Sequence, residues 1–240
     1  MDRPFLNLKT SFWAFVSTLL LFPVWVVGDS FYDNFKTLSS NWKVTSHGKL
    51  GGTQWAADHA VFKKGLLILL HTLSGGAKGA EVEYKKPVLY GRLSARLKAG
   101  KAGGVLSTLF LYGEYEGKVH EIDVELFPDQ ADAPNFTSYM DWTEKDDYVP
   151  GPHYFHVQPQ ISGFDCRQWH VYTIDWLKDK VIWYIDGKKV AETREIVPFK
   201  PTSIMMNSWY PDTWAKVKPD QDSEQWISWV RWEDLSAASN

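Results

Sequence analysis

From Asp29 onward, apolar and polar residues alternate with a period of two in short runs, each ended by Gly, Pro, Asn or Asp. No helical period persists long enough for an amphipathic helix, so the pattern predicts strands. They run over Leu66–Thr72, Gly91–Ala99, Val105–Tyr112, Val119–Phe127, Trp169–Trp176, Val181–Ile185, Lys188–Thr193, Ile204–Trp209 and Gln225–Trp232. Gly113–Lys118 reads as the turn between two of them, and Asp186-Gly187 is a strong hairpin signal. A dozen or so short strands with tight turns predict an all-β, antiparallel sandwich in one domain.

The first 28 residues break this pattern. Arg3 and Lys9 precede an almost wholly apolar run from Ser11 to Val27, interrupted by Pro23, and Val26-Val27-Gly28 supplies residues suited to cleavage. Residues 1–28 are expected to be a secretory signal peptide and 29–240 the folded domain, secreted to the extracellular space, periplasm or cell envelope. Loss of Asp2, Arg3 and Lys9 takes 26 basic and 29 acidic residues to 24 and 28, a formal −4. With no basic stripe, nucleic acid is not expected as a partner. Nor is a membrane, once the leader is gone. Cys166 is the one cysteine, so no disulfide framework exists, and a small buried side chain is expected there. Aromatic residues make up 15% of the chain, enough both to fill a core and to line a ligand surface.

The candidate chemistry lies in His120-Glu121-Ile122-Asp123-Val124-Glu125-Leu126-Phe127. On a strand, Glu121, Asp123 and Glu125 share one face while Ile122, Val124 and Leu126 share the other. Three acids in a row repel, and at least one pKa rises. Glycoside cleavage needs such a set, one carboxylate ionised and one carboxyl protonated. Cα atoms four residues apart lie roughly 13 Å apart along a strand. Curvature must therefore bring the carboxyl groups to the roughly 5–5.5 Å of a retaining pair. Taken alone, the triplet also fits a solvated acidic face or a calcium-binding patch. His153 and His156 lack the further ligands that a metal site needs. Asn135-Phe136-Thr137 is a glycosylation sequon.

At these residues the chain resembles glycoside hydrolase family 16, whose signature is Glu-x-Asp-x-Glu or a form one residue longer. The shorter form found here is similar to that of licheninases (β-1,3-1,4-glucanases) and xyloglucan endotransglucosylases. Ser107 to Tyr112, Trp169 to Gly187 and Met205-Met206-Asn207-Ser208-Trp209 are similar to other stretches of the family. The resemblance implies a concanavalin A-like jelly roll with a concave substrate cleft. It implies that Glu121 is the nucleophile, Glu125 the general acid/base and Asp123 their electrostatic helper. Phe110, Tyr112, Asn207 and Trp209 would line the cleft and bind the sugar. The expected protein is a monomeric, secreted, retaining endo-glycosidase acting on a polysaccharide, a β-glucan, without a cofactor. The alternatives are a transglycosylase of the xyloglucan type and a non-catalytic carbohydrate-binding module. Two positions depart from the family. Glu83 stands where an ungapped match places a substrate-binding Arg, and Ser228 where an Asp holds calcium, so no metal is expected. The cysteine-bearing C-terminal extension of plant xyloglucan enzymes is absent.

Overall fold

The structure is a computed structural model that describes residues 29–235 apart from 37–38, 47 and 147–149. The expected leader, residues 1–28, and the tail at 236–240 lie outside the described residues. Seventeen strands follow one another: β1 Phe31–Asp33, β2 Trp42–Val44, β3 Lys49–Leu50, β4 Thr53–Trp55, β5 Ala60–Phe62, β6 Leu67–His71, β7 Lys78–Tyr84, β8 Gly91–Lys98, β9 Leu106–Tyr115, β10 Lys118–Leu126, β11 Asn135–Trp142, β12 Tyr154–Val157, β13 His170–Leu177, β14 Lys180–Ile185, β15 Lys188–Thr193, β16 Ser203–Trp209 and β17 Ser223–Asp234. The described residues contain no α-helix, only two single 3-10 turns.

The strands form two stacked sheets, the expected antiparallel sandwich. One has nine strands in the order β12-β11-β10-β9-β16-β7-β4-β3, with β2 also on β7. The other has eight in the order β15-β14-β13-β8-β17-β6-β5, with β1 on β17. Among the described residues, only β4 and β7 pair in parallel. Alternation drives the stacking. Val82, Leu109, Leu111, Ile122, Val124 and Met206 of the nine-stranded sheet meet Leu93, Ala95, Leu97, Ile174, Trp176 and Trp183 of the other in one apolar core. Each fully buried Leu or Ile stabilises the stack by roughly 1.5–3 kcal/mol. Trp176 is wholly buried, and its indole N–H donates to the Pro198 carbonyl at 2.8 Å, so its own polar group is satisfied.

Turn chemistry sets the hairpins. Asp186 and Gly187 take φ of 48° and 77°, the left-handed pair that a two-residue hairpin requires, and β14 and β15 flank them as expected. The β9–β10 turn differs from the expectation. β9 runs on to Tyr115, and the turn is Glu116-Gly117, with φ of 54° and 74°. Gly113 lies inside the strand, where a Cβ would come within 2.7 Å of the Pro201 carbonyl oxygen. Its glycine serves close packing rather than the turn.

Candidate active site

On β10 the core-facing residues Ile122, Val124 and Leu126 are fully buried, which turns Glu121, Asp123 and Glu125 to the outer face of the nine-stranded sheet. The ladder is regular across the triplet. Glu121 lies opposite Tyr112 and Tyr139, Asp123 opposite Phe110 and Thr137, and Glu125 opposite Thr108 and Asn135. The one register shift in the β10–β11 pair falls earlier, between Val119 and Glu121. There the buried His120 meets Asp141 at 3.3 Å, and Asp141 takes φ of 53°. A bulge placed just before the site leaves the three acids evenly spaced.

Burial dominates the electrostatics. It raises all three carboxyl groups, and their mutual repulsion adds to the effect. Asp123 is 5% exposed, accepts a hydrogen bond from the Thr137 hydroxyl and shares another with Glu121. That shared bond favours the ionised form of Glu121, whose pKa is pushed up only to about 8. Asp123 and Glu125 are held well above the ordinary carboxyl range. The bond from Asp123 thus favours charge on Glu121, whereas burial and the neighbouring Asp123 both favour the proton on Glu125. The same charges, with burial, push the Tyr139 phenol upward.

The four residues expected to bind substrate all reach this sheet, in different states. Tyr112 lies beside Glu121 and donates to Glu114 at 3.2 Å. Phe110 is 7% exposed and forms a packed floor opposite Asp123. Asn207 is 4% exposed, with both ends of its amide engaged: Oδ1 accepts from Thr108 at 2.5 Å, and Nδ2 donates to Glu81 at 3.2 Å. Trp209 is half-buried, its ring 6.4 Å from that of Trp214. Trp214 is 47% exposed and also packs edge-on against Phe127 at 5.2 Å. The outcome is an acid strand flanked by hydroxyl and amide groups, with an aromatic wall beyond Glu125.

A family model described as glycosyl hydrolases family 16 matches residues 34–230, a span that includes every residue of this site. The chain belongs to that family. It is similar to a β-glucanase of Acetivibrio thermocellus, 30% identical over 205 residues, 82% of this chain and 55% of that protein. The chain spans about half the length of the two Acetivibrio relatives it matches. A Brevibacillus brevis β-glucanase is 25% identical over 261 residues, with 95% of this chain and 96% of that one covered. Among solved structures, Bacillus licheniformis β-glucanase superposes with a TM-score of 0.73 at 25% identity, over 86% of this chain and 99% of that one. The sandwich is the jelly roll of these neighbours.

Within this family 16 member, the departures have physical outcomes. Glu83 pairs with Lys43 at 3.0 Å and accepts from the Ser203 hydroxyl at 3.0 Å, so an ion pair occupies the position matched to an Arg. Tyr84 is buried in the core, and Lys85 reaches the Ser40 carbonyl. Ser228 sits at a bulge in β17, and no group of three or more His, Cys, Asp or Glu gathers as for a metal among the described residues. Cys166 is buried, and burial pushes its thiol up to about 12. His153 and His156 go to separate partners, the Met140 carbonyl and the Asn135 amide. Asn135, the sequon residue, is 7% exposed and faces Glu125.

Sequence reasoning missed Glu81, Thr108, Asn135, Thr137, Tyr139 and Trp214. For Thr137 and Tyr139 a signal exists in hindsight. Asn135, Thr137 and Tyr139 alternate with Phe136 and Ser138, both fully buried, so β11 has an inward and an outward face.

Proposed function

We propose that this protein is a secreted, retaining endo-glycosidase that hydrolyses a β-glucan by double displacement. The observation that carries the reading is geometric: Glu121 and Glu125 flank Asp123 on one face of β10, and the bond from Asp123 favours charge on Glu121 while burial and the Asp123 charge favour the proton on Glu125. An ionised Glu121 attacks the anomeric carbon while Glu125 protonates the departing glycosidic oxygen. Asp123, tied to Thr137 and Glu121, holds the nucleophile in place and shares a proton with it. Formation of the glycosyl-enzyme removes the charge on Glu121. Its repulsion is then gone, and the ionised Glu125 can act as base toward water.

β-Glucan is the proposed substrate because relatives named β-glucanases match along the sandwich. Half-buried Trp209 and exposed Trp214 supply ring surface of the kind that sugars stack on. Secretion follows from the charged start and apolar run of residues 1–28, and sequencing the N-terminus of exported protein tests it. The catalytic test is a reducing-sugar assay on barley β-glucan. Glu121→Gln should abolish nearly all turnover without changing the fold, and full activity in that variant would reject the mechanism. Product sizing reads the reaction outcome: shorter oligosaccharides mark hydrolysis, and chains longer than the substrate mark transfer.

A further inference from the structure

The outer face of the eight-stranded sheet, on the far side of the core from the acids, carries a second aromatic surface. Trp226 of β17 lies opposite Lys98 of β8, and Trp169, one residue ahead of β13, stands on the other side of Lys98. The Lys98 ammonium lies 4.6 Å from the Trp226 ring centre and 5.5 Å from that of Trp169. The Arg96 guanidinium covers the Trp169 ring at 4.5 Å. A bulge between Ile227 and Trp229 breaks the alternation of β17. It sends Trp229 outward opposite Arg96, where its ring meets Tyr32 at 6.1 Å. An unbroken period of two from Trp226 would have turned Trp229 into the core.

The arginine of this patch differs from the other described arginines. Arg92, Arg167, Arg194 and Arg231 each pair with a carboxylate. Arg96 is the exception among the described arginines, and its neighbour Lys98 also lacks a carboxylate partner there. Two unneutralised cations held against indole faces, on a chain of formal charge −3, leave an anion-seeking spot in an aromatic setting. An acid on the patch, Glu224, accepts the Trp226 indole N–H at 2.8 Å.

We propose that this surface is a second, non-catalytic binding site for a polysaccharide that carries carboxylate groups. Such a chain satisfies both features at once: its carboxylates meet Arg96 and Lys98, and its pyranose C–H faces lie on the tryptophans. Trp169 and Trp226 are two strands apart, roughly 10 Å, so the site engages more than one sugar unit. All three tryptophans are half-buried against the sheet, and Tyr32, 59% exposed, is the one strongly exposed ring of the patch. Half-buried rings braced by cations suit a ligand stretched along the surface and offer no protruding wedge for a bilayer. The site stands apart from the catalytic reading and would tether the enzyme to an acidic matrix while leaving the cleft free.

Native affinity electrophoresis of the full protein in gels with and without polygalacturonate tests this. A Glu121→Gln background keeps catalysis out of the readout. Polygalacturonate should retard the protein, and added salt should weaken the effect. Arg96→Glu/Lys98→Glu should raise the dissociation constant about tenfold. Trp226→Ala should weaken binding as well. Lys145→Glu/Lys178→Glu, with the same change in net charge, should not. With catalysis restored, the Arg96/Lys98 variant should hydrolyse soluble β-glucan like the wild type. Absence of retardation, or retardation lost equally in the Lys145/Lys178 control, would overturn the site. So would binding to phosphatidylglycerol vesicles in place of polygalacturonate. Should the double reversal disturb the fold by circular dichroism, Arg96→Gln/Lys98→Gln is read in its place. A wild-type protein inert on β-glucan would refute the catalytic proposal alone, because retardation is measured without turnover.

Discussion

The indole N–H of Trp183, on the eight-stranded sheet, crosses the core and donates at 2.9 Å to the main-chain carbonyl of Asp123, the middle acid of the triplet. Trp183 is fully buried and stacks on Phe155 with ring centres 5.7 Å apart. The two sheets are thus pinned together at the residue that separates the proposed nucleophile from the proposed acid. Trp183→Phe keeps an apolar ring and removes the donor. It should destabilise the fold by about 1–3 kcal/mol, the penalty of an unmade buried hydrogen bond with some lost packing. It should also lower kcat several-fold with little change in KM, since β10 is released at the reacting groups and not at the walls. Denaturant unfolding together with steady-state kinetics on β-glucan checks both. A variant as stable and active as the wild type would mean that the bond holds nothing in place.

The acid triplet should be a burden on stability at neutral pH. Glu121 has a folded pKa of about 8, raised from about 4.5 by burial. The folded state therefore binds its proton more tightly than the unfolded state does. Stability from this group is fully present below about pH 4.5 and is lost as pH rises toward 8, at up to about 1.4 kcal/mol per unit. Glu121→Gln removes the titration. The variant should melt at a higher temperature than the wild type at pH 8, with the gap closing toward pH 4.5. Calorimetric scans across that range measure it, and a gap independent of pH would contradict the buried, raised carboxyl.

Thr137 is the neighbour whose hydroxyl satisfies the buried Asp123. Thr137→Val conserves volume and leaves that carboxyl without its donor. Asp123 then holds its proton more tightly and positions Glu121 less well. A loss of about tenfold in kcat is expected, equivalent to one hydrogen bond of roughly 1.4 kcal/mol, with KM nearly unchanged. Thr137→Ser should restore most of it. Equal losses for Val and Ser would assign the residue to packing instead.

Much of this arrangement is legible in the sequence because it depends on local periodicity. The alternation through Glu121–Leu126 alone puts the acids on one face, and Asp186-Gly187 alone sets its hairpin. What stays hidden depends on partners distant in the chain. β7 is flanked by β2 and β16, whose residues lie some 40 positions before it and more than 120 after it. No turn chemistry announces those pairings. The residues beside the acids are hidden for the same reason. The segment from Phe127 to Pro134 contains no two-residue turn, so packing, and not the loop, sets Thr137 opposite Asp123. Gly113 misleads because glycine signals both a turn and a close approach, and only the Pro201 carbonyl beside it decides between them.

The pH dependence of the rate follows from the roles proposed for the two glutamates. The proposed reaction requires Glu121 ionised and Glu125 protonated. Protonation of Glu121 as pH falls removes the nucleophile, and its raised pKa places that loss above the usual carboxyl range. The value of kcat/KM should therefore still be rising between pH 5 and pH 7, where an ordinary glutamate near 4.5 would already have levelled off. At the alkaline side Glu125 gives up its proton, and protonation of the leaving oxygen is lost. An aryl glycoside with an activated leaving group needs little of that protonation. It should lose the alkaline limb while keeping the acid one. Profiles of kcat/KM for β-glucan and for such an aryl substrate separate the two ionisations. A plateau already reached by pH 5, or an alkaline limb equal for both substrates, would break the assignment of Glu121 and Glu125.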